Sequence, residues 1–380
     1  MDYQASTPVD PRVFESMAPY FTDRPGNPHS SDHSFGWEAQ SAIEAALEKI
    51  GGVINADPDE IIFTSGATES NNLAILGLAA RAQGKKRILV SSIEHKCVLA
   101  AAAAAKRFGL AVEQVAVDKD GYVKVEELER ALSNDVLLVS VMAANNEIGT
   151  VQSLRQIADI SHGHGALVHT DASQMLTTSD FDVLDLNVDL ASLSGHKIYG
   201  PKGVGALYVR REFQSKIEPL IFGGGQQNGL RSGTLPVPLC VGFAEAVAIF
   251  GNKAEANAER SRLRKLRDAF LEGLTSIAPH YRLNGPPKES RHSANANIAF
   301  AGIDARDFLS VLQPRVAAST GSACGSGLTE ASHVLRAIGL SDDDANASIR
   351  FSVGRFTTIA DISTALEAVE QALNSVAAAA

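Results

Sequence analysis

Between about residues 60 and 210, short apolar runs alternate with longer segments whose apolar residues recur at helical spacing. The apolar runs are EIIFTS, RILVSS, DVLLVSVM, ALVHTDA, VDLASLSG and GVGALYVR, and the helical segments are ATESNNLAILGLAARA, KCVLAAAAAAKRF and LRQIADISHGHG. Strands that alternate with helices are typical of crossover units. The pattern therefore predicts an α/β fold around a mainly parallel central sheet.

The regular alternation ends at a glycine-rich stretch, FGGGQQNGLRSGTLPVP at 222–238, which precedes a long helical region from about 238 to 276. After NGPPKES the pattern is typical of a smaller α+β unit, with the runs ANIAFAG, VAAST and ASIRFSV between helical segments. We therefore predict a large domain at 1–245 and a smaller C-terminal domain at 246–380. Residues 1–30 are expected to pack on the smaller domain.

Composition and net charge indicate a folded protein with a large core and argue against general nucleic-acid binding. Of the 380 residues, 45% are hydrophobic and 21% are charged, which is enough apolar material for a large core and argues against disorder. The formal net charge of −10 argues against a general nucleic-acid binder. The basic helical stretch ERSRLRKLRDAF at 259–270 is expected to be a solvated face.

Membrane insertion and export are not expected from the sequence. The longest run of small and apolar residues, CVLAAAAAA at 97–105, stops at Lys106 and Arg107, far short of the roughly 18 residues that a membrane-spanning helix needs. The stretch MDYQASTPVD lacks the pattern of a signal peptide. The cytoplasm is therefore the expected compartment.

The three cysteines lie far apart, at Cys97, Cys240 and Cys324, without the spacing of a metal site or a disulfide framework. Cys97 and Cys240 fall within helical apolar patterns and are expected to be packed as small hydrophobic residues. Cys324 lies in STGSACGSGLTEAS, a stretch of small and polar residues with neither helical nor strand period. This pattern predicts a loop, in which Cys324 acts as a thiol.

Four predicted strands end in polar residues: TSGATESNN, SSIEHK, HTDASQ and SLSGHK. In parallel sheets, ligands bind at the carboxyl ends of the strands. Lys197 follows one of these strands and Asp171 follows another, and pyridoxal phosphate requires such a pair. The lysine binds the aldehyde as a Schiff base, and the carboxylate keeps the pyridine nitrogen protonated.

The other polar residues at these strand ends have two interpretations. A phosphate could bind at the start of the helix after SGATES, at Thr68, with Ser194 and His196 completing its site. Equally, Ser65 or Thr68 could cap the helix, and Ser194 and His196 could form local turn bonds. His95 could stack on a planar ring and move protons, or it could be an ordinary polar residue at a strand end.

A set of motifs that runs in order along nearly the whole chain identifies a family. They include DYQASTPVDPRV, GNPHSSDHSFGWEA, IIFTSGATESNNLAI, EHKCVL, NNEIGTVQ, SLSGHKIYGPKGVGALYVR, GGGQQNGLRSGT, STGSACGSG and IRFSVGRFTT. In these motifs the chain resembles the cysteine desulfurases, fold-type-I pyridoxal-phosphate enzymes of the subgroup that supplies sulfur for iron–sulfur clusters and nitrogenase maturation. The resemblance implies a mainly parallel sheet in a large domain and a smaller α+β C-terminal domain.

The resemblance also implies roles for individual residues. It makes Lys197 the Schiff-base lysine, Asp171 the partner of the pyridine nitrogen, His95 the stacking histidine and Gln174 the contact to the ring hydroxyl. The implied phosphate ligands are Ala67, through its backbone, Thr68, Ser194, His196 and Thr234. Thr234 would reach the phosphate of the partner subunit, which implies a homodimer.

The substrate implied by the resemblance is L-cysteine, with Asn146 and Arg350 holding its carboxylate. Cys324 is implied as the nucleophile that takes the sulfur as a persulfide while alanine leaves. The persulfide would then pass to a sulfur-acceptor or scaffold protein, so protein partners are expected. No general nucleic-acid binding and no membrane association are expected.

Four alternatives remain open on the sequence. The same cofactor site could serve selenocysteine lysis or transamination. Comparing the amounts of alanine formed from cysteine and from selenocysteine would distinguish these reactions. The chain could also be a catalytically silent assembly partner, although both Lys197 and Cys324 are present. Binding of RNA through the basic helix at 259–270 could be tested by its salt dependence.

Overall fold

A computed structural model describes residues 1–320 and 331–379. The described strands are β1 Ile61–Thr64, β2 Arg87–Ser91, β3 Ala111–Val115, β4 Val136–Ser140, β5 Leu167–Asp171, β6 Leu190–Ser194, β7 Gly205–Val209, β8 Arg282–Leu283, β9 Asn295–Ala299 and β10 Ser348–Ser352. The described helices are α1 Pro11–Met17, α2 Ser34–Ile54, α3 Ala67–Ala80, α4 Lys96–Ala105, α5 Val125–Ala131, α6 Leu154–Gly163, α7 Val237–Ala248, α8 Lys253–Ile277, α9 Ala305–Leu312, α10 His333–Ala337, α11 Asp342–Asn346 and α12 Ile359–Ala379.

The larger sheet has seven strands in the order β1-β7-β6-β5-β4-β2-β3. The pairs among β6, β5, β4, β2 and β3 are parallel, and β7 runs antiparallel to both of its neighbours. The predicted α/β fold with a mainly parallel sheet is confirmed. Because the sheet is covered on both faces, the strands β4, β6 and β7 are buried along their whole length, which is why their sequences are apolar runs.

One strand of this sheet carries no apolar run. β3, with the sequence AVEQV, lies at the edge of the sheet next to β2, and its first four residues are exposed or half-buried. An edge strand has only one neighbour and needs fewer apolar side chains, so its pattern does not distinguish it from a loop.

The order of the strands brings the polar strand ends together. β1 lies antiparallel to β7, and β7 lies antiparallel to β6, so β1 runs in the same direction as β6, β5, β4 and β2. The carboxyl ends of these five strands therefore share one edge of the sheet.

The second sheet has three antiparallel strands in the order β10-β9-β8. It packs with α8, α9 and α12 around Phe270, Phe308 and Phe351 in a core that is distinct from the core of the larger sheet. The predicted helical region at 238–276 is two helices, because the chain turns at 249–252 and Asn252 caps α8 by accepting from Ala254 N and Glu255 N. The division into domains at residue 245 stays a prediction; α7 packs in the core of the larger sheet and α8 in that of the smaller sheet.

The first ten residues contact both sheets. The amide of Ser352, in β10, donates to the carbonyl of Met1, and the amide of Gln4 donates to Ser352 Oγ. A few residues further on, Thr7 Oγ1 donates to the carbonyl of His196, just after β6. The segment therefore runs from the smaller sheet to the carboxyl edge of the larger one.

Within residues 1–320 and 331–379, no single helix is long and apolar enough to cross a membrane. α7 and α8 pass that test of length and composition only as a pair, and they are bent by 79° at the break between them.

Candidate active site

A cavity of about 480 Å³ lies at the edge of the larger sheet where the strands end. Its walls come from the N-terminal segment, the start of α3, the turn before α4 and the segments that follow β4, β5 and β6. Ten of the lining residues are Ser6, Ala67, Thr68, His95, Cys97, Asn146, Asp171, Gln174, Ser194 and Lys197.

Lys197 ends a short turn, Gly195–Lys197, that follows β6 directly. Its Nζ donates to the backbone carbonyls of Gln4 and Ala5, each 2.8 Å away. These carbonyls belong to the N-terminal segment, which Thr7 ties to the same turn. The amine is therefore held at the cavity wall by backbone atoms about 190 residues away in the chain.

Asp171 is the last residue of β5 and is only 6% exposed. Its Oδ1 accepts from the amide of Ser173, and its Oδ2 accepts from Asn71 Nδ2 at 2.7 Å. Asn71 is on α3 and is fully buried. Beside them, Gln174 Nε2 donates to the carbonyl of Gln4 at 3.0 Å. These hydrogen bonds fix the orientation of the carboxylate at the carboxyl end of β5.

The first turn of α3 provides a site for an anion. Its N-cap is Gly66, which has φ 142° and ψ 178°, a conformation open essentially to glycine alone, and no side chain caps the helix. A Cβ on the neighbouring Gly205 would lie 2.8 Å from Gly66 Cα, so the two backbones approach closely. The amides of the first turn are left for a ligand, and they lie beside Thr68, Ser194 and His196 on the cavity wall.

His95 caps α4 and contacts a cysteine. Its Nδ1 accepts from the amide of Cys97 at 3.2 Å and lies 2.9 Å from Cys97 Sγ. Cys97 is half-buried and packs against the apolar core, as the sequence predicted for a small hydrophobic residue, but its sulfur also borders the cavity. The reason is its place in the first turn of α4, which aims it at the cavity. Cys240 is buried in α7, as expected.

Burial sets the protonation of the groups around the cavity. It lowers the pKa of His95, with the Lys197 charge acting in the same direction, and it lowers the pKa of His196 to about 4. It raises the pKa of the Cys97 thiol to about 11 and that of Glu94, next to His95, well above the usual carboxyl range. Near pH 7 the two imidazoles are therefore neutral and the thiol is protonated.

Arg350, predicted to hold a substrate carboxylate, is on β10 and only 2% exposed. Its Nη1 donates to the carbonyl of Asn146 at 3.0 Å, and its Nη2 donates to Asp2 Oδ1 at 2.8 Å. Its Nε is buried and has no partner among the described residues. Asn146 lines the cavity, so the guanidinium lies directly behind the cavity wall.

The structure brings most of the predicted residues to one place. Lys197, Asp171, His95, Gln174, Ala67, Thr68, Ser194, His196 and Asn146 line the cavity. Thr234 is exposed and is not among the lining residues, and Cys324 lies outside the described residues. Sequence reasoning missed Asp2, Gln4 and Asn71. For Asn71 a signal existed, because it is a polar residue one turn into the helix that begins at the predicted phosphate site.

The donor set fits pyridoxal phosphate. An amine, a buried carboxylate and a helix N-terminus with unused amides border one cavity, and the cofactor presents an aldehyde, a pyridine nitrogen and a phosphate. The helix begins at a glycine without a side-chain cap, which favours a bound anion over capping by Thr68.

Comparison with known proteins gives the family. The family model described as aminotransferase class-V matches residues 1–364. A cysteine desulfurase IscS of Rickettsia typhi is 47% identical over 370 residues, 97% of this chain and 89% of the relative, and one of Rickettsia bellii is 46% identical over 375 residues, 98% and 90%.

Solved structures agree with this result. A NifS-like protein superposes with a TM-score of 0.91 at 36% identity over 98% of both chains. SspA in complex with cysteine superposes with a TM-score of 0.82 at 39% identity over 94% of this chain and 99% of that chain. With its cavity, its lysine and its carboxylate, this chain belongs to the class-V aminotransferase family and, within it, to the cysteine desulfurases, which depend on pyridoxal phosphate.

Proposed function

We propose that this enzyme converts L-cysteine to L-alanine and leaves the sulfur on Cys324 as a persulfide, which supplies iron–sulfur cluster assembly or the synthesis of other thio-cofactors. The observation that carries the proposal is that Lys197, Asp171 and the N-terminus of α3 border one cavity. The curated relatives carry the name cysteine desulfurase, and one similar structure is described as a complex with cysteine.

The residues that would hold the cofactor follow from their places on the cavity wall. Lys197 would bind the aldehyde, Asp171 the pyridine nitrogen and Gln174 the ring hydroxyl, while His95 would stack on the ring. Ala67, Thr68, Ser194 and His196 would hold the phosphate. Because burial keeps His196 neutral, it would bind the phosphate as an N–H donor rather than as a cation. Bound there, pyridoxal phosphate supplies an electron sink for the substrate.

The chain's own groups would carry out the remaining steps. Asn146 and the guanidinium of Arg350 would hold the substrate carboxylate. The Nε of Arg350 has no partner among the described residues and could donate to it. The Lys197 amine would move the proton at the substrate Cα. Cys324 would attack the substrate sulfur, so that one S–S bond forms and the Cβ–S bond breaks. L-cysteine and the Cys324 thiol then become L-alanine and the Cys324 persulfide, with atoms in balance.

We further propose that the enzyme is a homodimer that works in the cytoplasm and passes its sulfur to an acceptor protein. Two features support the dimer. Thr234 is exposed in its own chain, although the resemblance gives it a phosphate to bind. Phe222 and Trp37 are 74% and 57% exposed, and contact with a second subunit would cover them. A reducing compartment would keep the nucleophilic thiol available.

A single turnover tests the proposed reaction. The purified enzyme loaded with pyridoxal phosphate is mixed with L-cysteine, and alanine and the intact protein mass are measured. We expect one alanine for each added sulfur, with the sulfur mapped to Cys324. Cys324→Ala should keep the cofactor and lose the added sulfur, and Lys197→Ala should lose about a thousandfold in rate.

Two results would count against the proposal. Sulfur mapped to Cys97 or Cys240 would remove Cys324 from its role. If the loaded enzyme forms neither alanine nor persulfide from L-cysteine, the substrate is wrong, and alanine formation from selenocysteine would identify a selenocysteine lyase instead.

A further inference from the structure

The reaction assigns no role to Cys97, yet its thiol lines the cavity and contacts His95. Both donors of this cysteine lie against the same ring nitrogen: the amide is 3.2 Å and the sulfur 2.9 Å from His95 Nδ1. A backbone N–H can only donate. Nδ1 must therefore be the unprotonated nitrogen of the neutral ring, and the ring proton is on Nε2.

The direction of the thiol follows from a chain of contacts that starts at Asp171. Asn71 Nδ2 is 2.7 Å from Asp171 Oδ2 and 3.2 Å from Cys97 Sγ. If the amide were flipped, its oxygen would face a carboxylate oxygen, so the NH₂ group must be on this side. Its two protons then go to Asp171 and to the sulfur. The Thr68 hydroxyl also donates to the sulfur, which acts to lower the pKa of the thiol. Since the sulfur accepts from Asn71 and Thr68, its own proton is available for His95.

We propose that Cys97 is a positioning residue that holds His95 in the Nε2–H tautomer, in a directed chain from Asp171 through Asn71 and Cys97 to Nδ1. The inference deepens the proposed function and rests on it, since it concerns the histidine of that active site. In this state the ring offers the cavity an N–H donor, and it cannot accept a proton at Nε2 without first exchanging its tautomer.

The protonation of the neighbouring groups agrees with this arrangement. Burial and the charge of Asp171 keep the thiol protonated, with a pKa raised to about 11, so it can donate. Around His95, burial is the largest influence and lowers its pKa. The charges of Lys197, after β6, and His333, on α10, act in the same direction, and those of Asp171, at the end of β5, and Glu147, after β4, oppose it.

A hydrogen bond to the neutral form of a group disfavours its charged form. The Cys97 thiol should therefore lower the pKa of His95, and its removal should raise that pKa. A neutral hydrogen bond of ordinary strength corresponds to a shift of about half a pH unit to one unit. The amide of residue 97 remains in any variant, so the tautomer should survive the loss of the thiol while the pKa changes.

The test uses the full-length enzyme loaded with pyridoxal phosphate and labelled with ¹⁵N-histidine. Two-bond ¹H–¹⁵N spectra separate protonated from unprotonated ring nitrogens, and His95→Gln identifies the signals of His95. We expect the Nε2–H tautomer in the wild type, a pKa higher by about half a unit to one unit in Cys97→Ala, and a value restored toward the wild type in Cys97→Ser, which keeps a donor. Cys240→Ala removes a buried thiol far from the chain of contacts and should leave His95 unchanged.

An Nδ1–H tautomer in the wild type would overturn the proposal without any variant being needed. So would a Cys97→Ala protein whose His95 titrates as in the wild type. Because the spectra report on the ring and not on turnover, they test this inference even if L-cysteine proves not to be the substrate. A failure of the proposed reaction would instead appear in the single-turnover experiment alone.

Discussion

Asp2 contacts Arg350, a proposed substrate-binding residue that lies 348 positions away in the sequence. It accepts from Nη2 of the buried Arg350 and leaves Nε of that residue for a ligand. We infer that Asp2 orients the guanidinium. Asp2→Asn should therefore raise KM for L-cysteine about tenfold and change kcat little, because a charge-assisted hydrogen bond contributes about 1.5–3 kcal/mol.

Steady-state kinetics check this expectation, with Asp23→Asn, an exposed acid of the same segment, as the control. A lower KM in Asp2→Asn would contradict it, since Asp2 would then compete with the substrate carboxylate for Arg350.

The first turn of helix α3 borders the cavity, and Gly66 shapes that turn. With φ 142° and ψ 178°, Gly66 occupies a region in which a residue with a Cβ costs about 1–3 kcal/mol. Gly66→Ala should therefore move the first-turn amides and weaken cofactor binding about tenfold or more, as measured by cofactor absorbance after dialysis, with a lower Tm for the protein without cofactor.

Gly52→Ala is the matched control for this helix experiment. Gly52 is an exposed glycine inside α2 whose Cβ would meet no atom within 4 Å. Alanine there should leave cofactor binding unchanged and stabilise the helix by up to about 1 kcal/mol. If both variants lose the same cofactor affinity, or if neither variant loses any, Gly66 has no special role in cofactor binding.

The proposed dimer leads to a prediction for two chains together. If Thr234 serves the site of the partner, then Thr234→Ala on one chain and Lys197→Ala on the other damage the same site and leave the second site intact. A mixed dimer of the two variants keeps one complete site, so it should have about half the activity of the wild-type dimer. Co-expression with two affinity tags isolates the mixed dimer. If Thr234 acts within its own chain, the mixed dimer has no complete site and stays inactive.

Much of this protein could be predicted from its pattern of residues alone. The apolar runs mark the buried strands, because a strand covered on both faces must be apolar along its length. The polar ends of the runs mark Lys197, Asp171 and His95, because ligands bind where parallel strands end. The edge strand β3 could not be found in this way, since only one neighbour and partial exposure leave it a polar sequence.

Contacts between distant parts of the chain needed the folded structure. The hydrogen bonds from Lys197 to Gln4 and Ala5, and from Arg350 to Asp2, join residues that are about 190 and 350 positions apart, and no local pattern encodes such a pairing. The surroundings of Cys97 also needed the folded structure, because its sulfur contacts Asn71, 26 residues away on α3, as well as the neighbouring His95. Periodicity shows which face of its own helix or strand a residue lies on. The chemistry of a site depends on which helices, strands and loops the fold brings into contact.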